Sequence, residues 1–162
     1  MDKSTVTDLA FSDGVAFIDG DFVPISQARI PILDWGFLRS DATYDVVSVW
    51  DRKFFRLDDH IERFYAGLRQ LKLDVGLERS ELVGILANCV RLMGLESAYV
   101  EMICTRGQPQ WGSRDPRDCK NAFYAFAVPY VWIATLEKQE GEGLHLVTSL
   151  IERISPNSVD PR

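Results

Sequence analysis

The stretch FRLDDHIERFYAGLRQLKLD, from Phe55 to Asp74, puts Ile61, Phe64, Tyr65, Leu68 and Leu71 on one stripe at helical spacing. A helix with a single apolar stripe needs a second layer to cover it. Asp58 or Asp59 is placed to cap this helix, and Glu62 adds acid to its first turn. A second helix is expected from Ser80 to Met93, with Leu82, Ile85, Leu86, Cys89 and Met93 inward and Gly94 as its stop. Two such helices require a broad apolar partner, and the rest of the chain has the pattern of strands.

GVAFIDGDFVPI carries two short apolar runs about Gly20–Asp21, a hairpin signal. ATYDVVSVW is rich in β-branched and aromatic residues, with DRKFF returning as its hairpin partner. SAYVEMICTRG, AFYAFAVPYVWI and LHLVTSLIERI are the other expected strands. SQARIPILDWGFLRSDA and QPQWGSRDPRDCKN, with their prolines and glycines, are structured loops. The expected class is α+β: a mostly antiparallel sheet with two helices packed on it. The charged run EKQEGEG marks a boundary. Residues 1–136 form one domain, and 137–162 are a linker and the beginning of a larger domain that this sequence does not complete.

Composition narrows function. The chain is 46% hydrophobic and 26% charged, ordinary for a globular protein, with a formal net charge of -6. With that charge and no basic cluster, binding driven by nucleic-acid phosphates is not expected. Cys89, Cys104 and Cys119 lie far apart with no CxxC, and the histidines are only His60 and His145, too few for a zinc site. No window reaches the length of a membrane span, and the N-terminus has no signal-peptide core, so the expected location is the cytoplasm.

The chemistry then rests on arginines. Arg63 points away from the apolar stripe of its helix. It is either a solvated side chain paired with Asp59 one turn earlier or a clamp for an anion, with Gly67 clearing space on the same face. Arg39, Arg106, Arg114 and Arg117 lie in or beside loops, where each is surface charge or a hold on a small carboxylate or phosphate. Tyr44 and Val46 share one face of their strand, for packing or for a pocket wall. No nucleophile–histidine arrangement, GxGxxG or P-loop pattern is present.

Taken together, ARIPILDWGFLRSDATYDVVSVWDRKFFRLDDHIERF, TRG and SVDPR resemble the class IV, or fold-type IV, aminotransferases, in the family's order and over nearly the whole chain from Gly14. The resemblance implies the small N-terminal domain of that fold plus the start of its large one. It implies pyridoxal 5'-phosphate as cofactor, an amine or amino acid and a keto acid as substrates, and a homodimer. An apolar, aromatic AFYAFAVPYVWI and Trp111 in a loop fit a dimer also. The family's HxxR arginine binds the cofactor phosphate, and HIER places that role on Arg63. LRSDATYDVVSVW lacks the Phe-Glu-Gly and the following arginine of branched-chain enzymes. It is closer to the (R)-selective amine transaminases, in which residues at the positions of Arg39, Tyr44 and Val46 line the substrate pocket. The loop after TRG supplies a mobile arginine for a carboxylate, with Arg114 the candidate and Arg117 the alternative. The family's Schiff-base lysine follows a motif like Asp160–Pro161, so it is expected just after Arg162. None of Lys3, Lys53, Lys72, Lys120 and Lys138 sits in that context.

The expected function is therefore transfer of an amino group between an (R)-amine or amino acid and a keto acid such as pyruvate. The alternatives are a branched-chain or D-amino-acid aminotransferase, a lyase of the same fold acting on aminodeoxychorismate, and a non-catalytic binding module.

Overall fold

The computed structural model describes residues 11–155 and Ser158. Val159–Arg162 of the SVDPR motif and Lys3 therefore lie outside the described residues. The chain divides into two compact units, one ending at Tyr130 and one beginning at Val131.

The first unit is built on a six-stranded antiparallel sheet. Its strands are β1 (Val15–Ile18), β2 (Asp21–Pro24), β3 (Ala42–Trp50), β4 (Lys53–Phe54), β5 (Ala98–Pro109) and β6 (Cys119–Pro129), in the order β2-β1-β6-β5-β3-β4. The helices are α1 (Trp35–Arg39), α2 (Leu57–Leu71) and α3 (Arg79–Met93). α2 and α3 cover one face of the sheet, and the core between them is formed by Ile61, Phe64, Leu68, Leu82, Leu86 and Cys89 against Val47, Val49, Val100 and Met102. Alternation along β3 decides which side chains take part: Asp45, Val47 and Val49 face the helices, while Tyr44, Val46 and Ser48 face away. Ala125 and Ala127 of β6 are small and buried, which lets α3 lie close to the sheet.

The two predicted hairpins form with adjusted turns. Asp19 and Gly20, at φ 53° and 88°, make the first, one residue before the predicted pair; Asp51 and Arg52, at 49° and 59°, make the second. Positive φ at both central positions matches the twist of the flanking strands. β4 pairs only with Val49 and Trp50, so Ala42–Val47 has β5 on one side and no strand on the other among the described residues.

α2 starts without the expected aspartate cap. Arg56, in the left-handed region, is its N-cap, while Asp58 and Asp59 fall inside the first turn, where they favour the positive end of the helix dipole. Leu71 closes the predicted stripe but is 41% exposed. α3 opens on a reciprocal pair: the side chains of Glu78 and Glu81 each accept from the other's backbone N–H, and Gly94 ends the helix at φ 77°.

The second unit contains α4 (Leu136–Gly141), capped by Thr135, within the run read from sequence as a charged linker. The strand expected over Leu144–Ile154 is not formed. A strand exists only as half of a pair, and the described residues of this unit provide no second one.

Candidate functional site

Asp45 sits in the middle of β3 on the helix-facing side, between valines. Its side chain is 1% exposed. Arg63 on α2 reaches it with two donors, Nε to Oδ2 at 2.6 Å and Nη2 to Oδ1 at 2.8 Å. His60, one turn earlier, brings Nδ1 to within 2.8 Å of the same Oδ1. Burial is the strongest influence on the Asp45 carboxyl and would raise it; the hydrogen bonds and charges of Arg63 and His60 outweigh it, so the group titrates below its ordinary value. The two partners of Asp45 differ in access. The His60 side chain is 19% exposed and that of Arg63 is 69%. Arg63 thus points off the apolar stripe, as expected, but its partner is Asp45. Asp59 pairs instead with Arg56 at 2.6 Å.

This donor set suits an anion. Nε and Nη2 of Arg63 are committed, while Nη1 makes no hydrogen bond among the described residues and carries two N–H groups on an exposed edge. One edge would hold part of a phosphate and leave its other oxygens to further donors. Gly67 has a different use from the one expected. A Cβ there would stand 2.5 Å from Thr43 Oγ1, so the glycine lets α2 approach β3 and clears nothing for an anion.

A second buried acid, Asp34, fixes the loop that carries Arg39. It accepts from Thr105 Oγ1 at 2.8 Å, Tyr124 O–H at 3.0 Å and the Gly36 N–H at 2.7 Å. Burial, then the hydrogen bond to Asp34, push the Tyr124 phenol far up. Gly36 is required because a Cβ would meet Thr105 Cγ2 at 2.5 Å. On this base α1 presents Arg39 with its guanidinium 3.8 Å over the buried Trp35 ring. Tyr44, 65% exposed, and Val46, partly buried, lie on the sheet face opposite α2 and α3, together with Glu101 and Ile103 of the neighbouring β5.

The β5–β6 loop separates its arginines. Arg117 is tied to Asp115 at 2.5 Å and pulls that carboxyl down to about 2. Arg114 is exposed and makes no hydrogen bond or ion pair among the described residues. Arg106 is removed from the candidates for a substrate. It forks onto Asp41 and donates to the carbonyls of Leu71 and Lys72, closing the C-terminus of α2. Lys53, Lys72, Lys120 and Lys138 are all exposed. Burial raises the Cys89 and Cys104 thiols to about 12, which leaves them unreactive. The described residues hold no cluster of three metal-binding side chains, and no helix among them is long and apolar enough to cross a membrane.

Asp45 and Asp34 are the polar centres that sequence reasoning missed. Each had a signal. Asp45 interrupts a face that otherwise reads Val47, Val49, and Asp34 directly precedes an aromatic–glycine pair at a helix start.

Residues 42–162 match the family described as amino-transferase class IV. A protein of Methanocaldococcus jannaschii described as a branched-chain-amino-acid aminotransferase is 27% identical over 147 residues, 90% of this chain and 49% of that protein. The D-alanine aminotransferase of Staphylococcus haemolyticus is 27% identical over 115 residues, 70% of this chain and 41% of its own length. The chain thus spans half or less of the length of these curated relatives. The structure of the Escherichia coli branched-chain amino acid aminotransferase superposes with a TM-score of 0.77 at 18% identity, over 90% of this chain and 49% of that one. At that identity the likeness is one of fold, and the fold is that of the N-terminal part of such enzymes.

Proposed function

We propose, for a chain that belongs to the class IV amino-transferase family, that the whole protein is a pyridoxal 5'-phosphate-dependent transaminase moving an amino group between an amine or amino acid and a keto acid. The observation that carries this is the half-engaged Arg63, one guanidinium edge held by Asp45 and the other open. When bound, pyridoxal phosphate supplies the electron sink for the transfer. Arg63 binds its phosphate. Tyr44, Val46 and Arg39 shape the substrate pocket, and Arg114 holds a substrate carboxylate. Arg114 is preferred over Arg117 because Arg117 is already spent on Asp115. In this proposal none of Lys53, Lys72, Lys120 and Lys138, all exposed, holds the cofactor.

In this proposal residues up to 136 are the small domain, and residues 137–162 begin a larger one. The protein is cytoplasmic and works as a homodimer. The nearly fully exposed Trp111 supports a partner surface. RSDATYDVV supports an (R)-amine or D-amino acid as donor and pyruvate as acceptor. The named relatives support a second reading, with a D-amino acid or a branched-chain L-amino acid as donor. The test is to load the full-length protein with pyridoxal phosphate and compare (R)-1-phenylethylamine, D-alanine and L-leucine as donors to pyruvate and 2-oxoglutarate. Turnover of the first two with pyruvate is expected. Turnover of L-leucine with 2-oxoglutarate alone reverses the specificity, and absence of any transfer, with pyruvate released from aminodeoxychorismate, makes the protein a lyase.

A further inference from the structure

Asp45 is not explained by packing. Its neighbours on the helix-facing side of β3, Val47 and Val49, are completely buried, and a branched apolar residue would fill its place without the cost of burying a charge. What the acid adds is geometry. Its two oxygens accept from Nε and Nη2 of Arg63 at 2.6 and 2.8 Å, a planar two-point grip that fixes the guanidinium in rotation as well as in position. Arg63 is otherwise a long, mostly exposed side chain, free to sample many rotamers. The carboxylate is itself held. It sits on a strand, and His60 Nδ1 lies 2.8 Å from Oδ1. An ionised carboxylate can only accept, so Nδ1 carries the proton in that bond. The approach of Arg63 Nη2 to the same Nδ1, at 3.3 Å, is then a side contact of two donors that share one acceptor.

We propose that Asp45, steadied by His60, is the positioning residue of the anion site: it holds Arg63 by the Nε edge so that the Nη1 edge faces the ligand phosphate. This rests on Arg63 being the phosphate anchor. The rival role is a plain counter-ion, and the two roles predict opposite signs. A counter-ion neutralises Arg63, so removing its charge leaves phosphate affinity unchanged or raises it. A positioning group organises Arg63, so removing it lowers that affinity.

The experiment uses the cofactor-free full-length protein. It titrates pyridoxal 5'-phosphate and pyridoxal, which lacks the phosphate, by absorbance, and takes the ratio of the pyridoxal dissociation constant to that of pyridoxal 5'-phosphate, the gain in affinity due to the phosphate. Asp45→Asn keeps the shape but turns one acceptor into a donor facing the guanidinium. The ratio is expected to fall at least about tenfold, the scale of a lost charge-assisted hydrogen bond, with pyridoxal binding unchanged. His60→Ala is expected to lower the ratio less, and His60→Asn, whose amide N–H stands in for Nδ1–H, to restore it. An unchanged or raised ratio in Asp45→Asn overturns the proposal. If that variant does not fold, equal ratios in His60→Ala and His60→Asn overturn it. Arg63→Ala separates the two layers: a wild-type ratio there removes the phosphate reading and this inference with it, whereas a collapsed ratio there beside a normal one in Asp45→Asn removes this inference alone.

Discussion

Replacing Arg106 with alanine tests whether this arginine is structural. Its side chain is 13% exposed and makes four hydrogen bonds: Nε and Nη2 to the Asp41 carboxylate at 2.9 and 3.1 Å, Nη2 to Leu71 O at 2.7 Å and Nη1 to Lys72 O at 2.9 Å. Leu71 and Lys72 end α2, so their carbonyls are among those a helix cannot satisfy internally. Removal leaves Asp41 without its partner, and at 27% side-chain exposure it recovers part of its hydration. A charged hydrogen-bonding group orphaned in this way costs about 1.5–2 kcal/mol, and the two carbonyls, which water reaches, add about 0.5 kcal/mol each. The expected loss is about 3 kcal/mol, measured by urea denaturation of the wild-type and variant proteins. Arg106→Lys should recover less than half of it, since one ammonium cannot both fork onto Asp41 and reach two carbonyls. Pyridoxal phosphate affinity, measured well below the denaturation midpoint, should not change. A loss under about 1 kcal/mol, or a loss of cofactor affinity without a loss of stability, would refute the assignment of Arg106 to the helix end.

Arg63→Ala should weaken retention of pyridoxal phosphate on dialysis by about 2–3 kcal/mol, and should also lower the urea midpoint, because buried Asp45 loses its two-point partner. Asp45 titrates below its ordinary value, so its stabilising contribution is complete above the unfolded carboxylate value of about 4 and is lost as pH falls through the lower folded value. The stability gap between wild type and Asp45→Asn should therefore narrow as pH falls below about 4; a gap that widens there contradicts this. Gly107 has φ 73°, and a Cβ there would lie 1.8 Å from the Lys120 carbonyl, so Gly107→Ala should cost more than about 3 kcal/mol in denaturation. At Gly20, with φ 88° and nothing within 4 Å, the same change should cost only about 1 kcal/mol.

The elements whose periodicity is set by burial were legible. α3 runs from one residue before its predicted start to its predicted end at Met93, and β3 and β5 begin near where their apolar alternation does. Errors fall where a local pattern competes with its surroundings. Asp58 and Asp59 look like caps, yet the turn out of β4 places Arg56 at the helix boundary and moves both acids inside. Leu144–Ile154 has strand composition, but strand structure depends on a neighbour that composition does not reveal. TRG reads as the end of a strand, whereas β5 continues to Pro109 across an irregularity between Thr105 and Gln108, with Gly107 at the bend.

The candidate site was legible for its donors and not for what aims them. Arg63 could be singled out because it departs from an apolar stripe, a one-dimensional signal. Its partner Asp45 lies 18 residues earlier, on a strand that meets α2 only in the folded protein. Two local offers misled. Asp59 stood at the right helical spacing for an ion pair, and Gly67 at the right spacing to open room. In the structure Asp59 turns to Arg56, and the room at Gly67 belongs to Thr43. Both results have one cause. α2 lies close over β3, and that approach needs the glycine at Thr43 and brings Arg63 and His60 within reach of the next inward residue on the same strand, Asp45. An acid at that inward position is tolerable only if its partners arrive with the helix, and the glycine packed on Thr43, two residues before Asp45 on the strand, is what lets them arrive. Thr43–Gly67 packing and the Asp45–Arg63 pair are therefore one feature, and a bulkier residue at 67 should loosen the arginine as well as the helix.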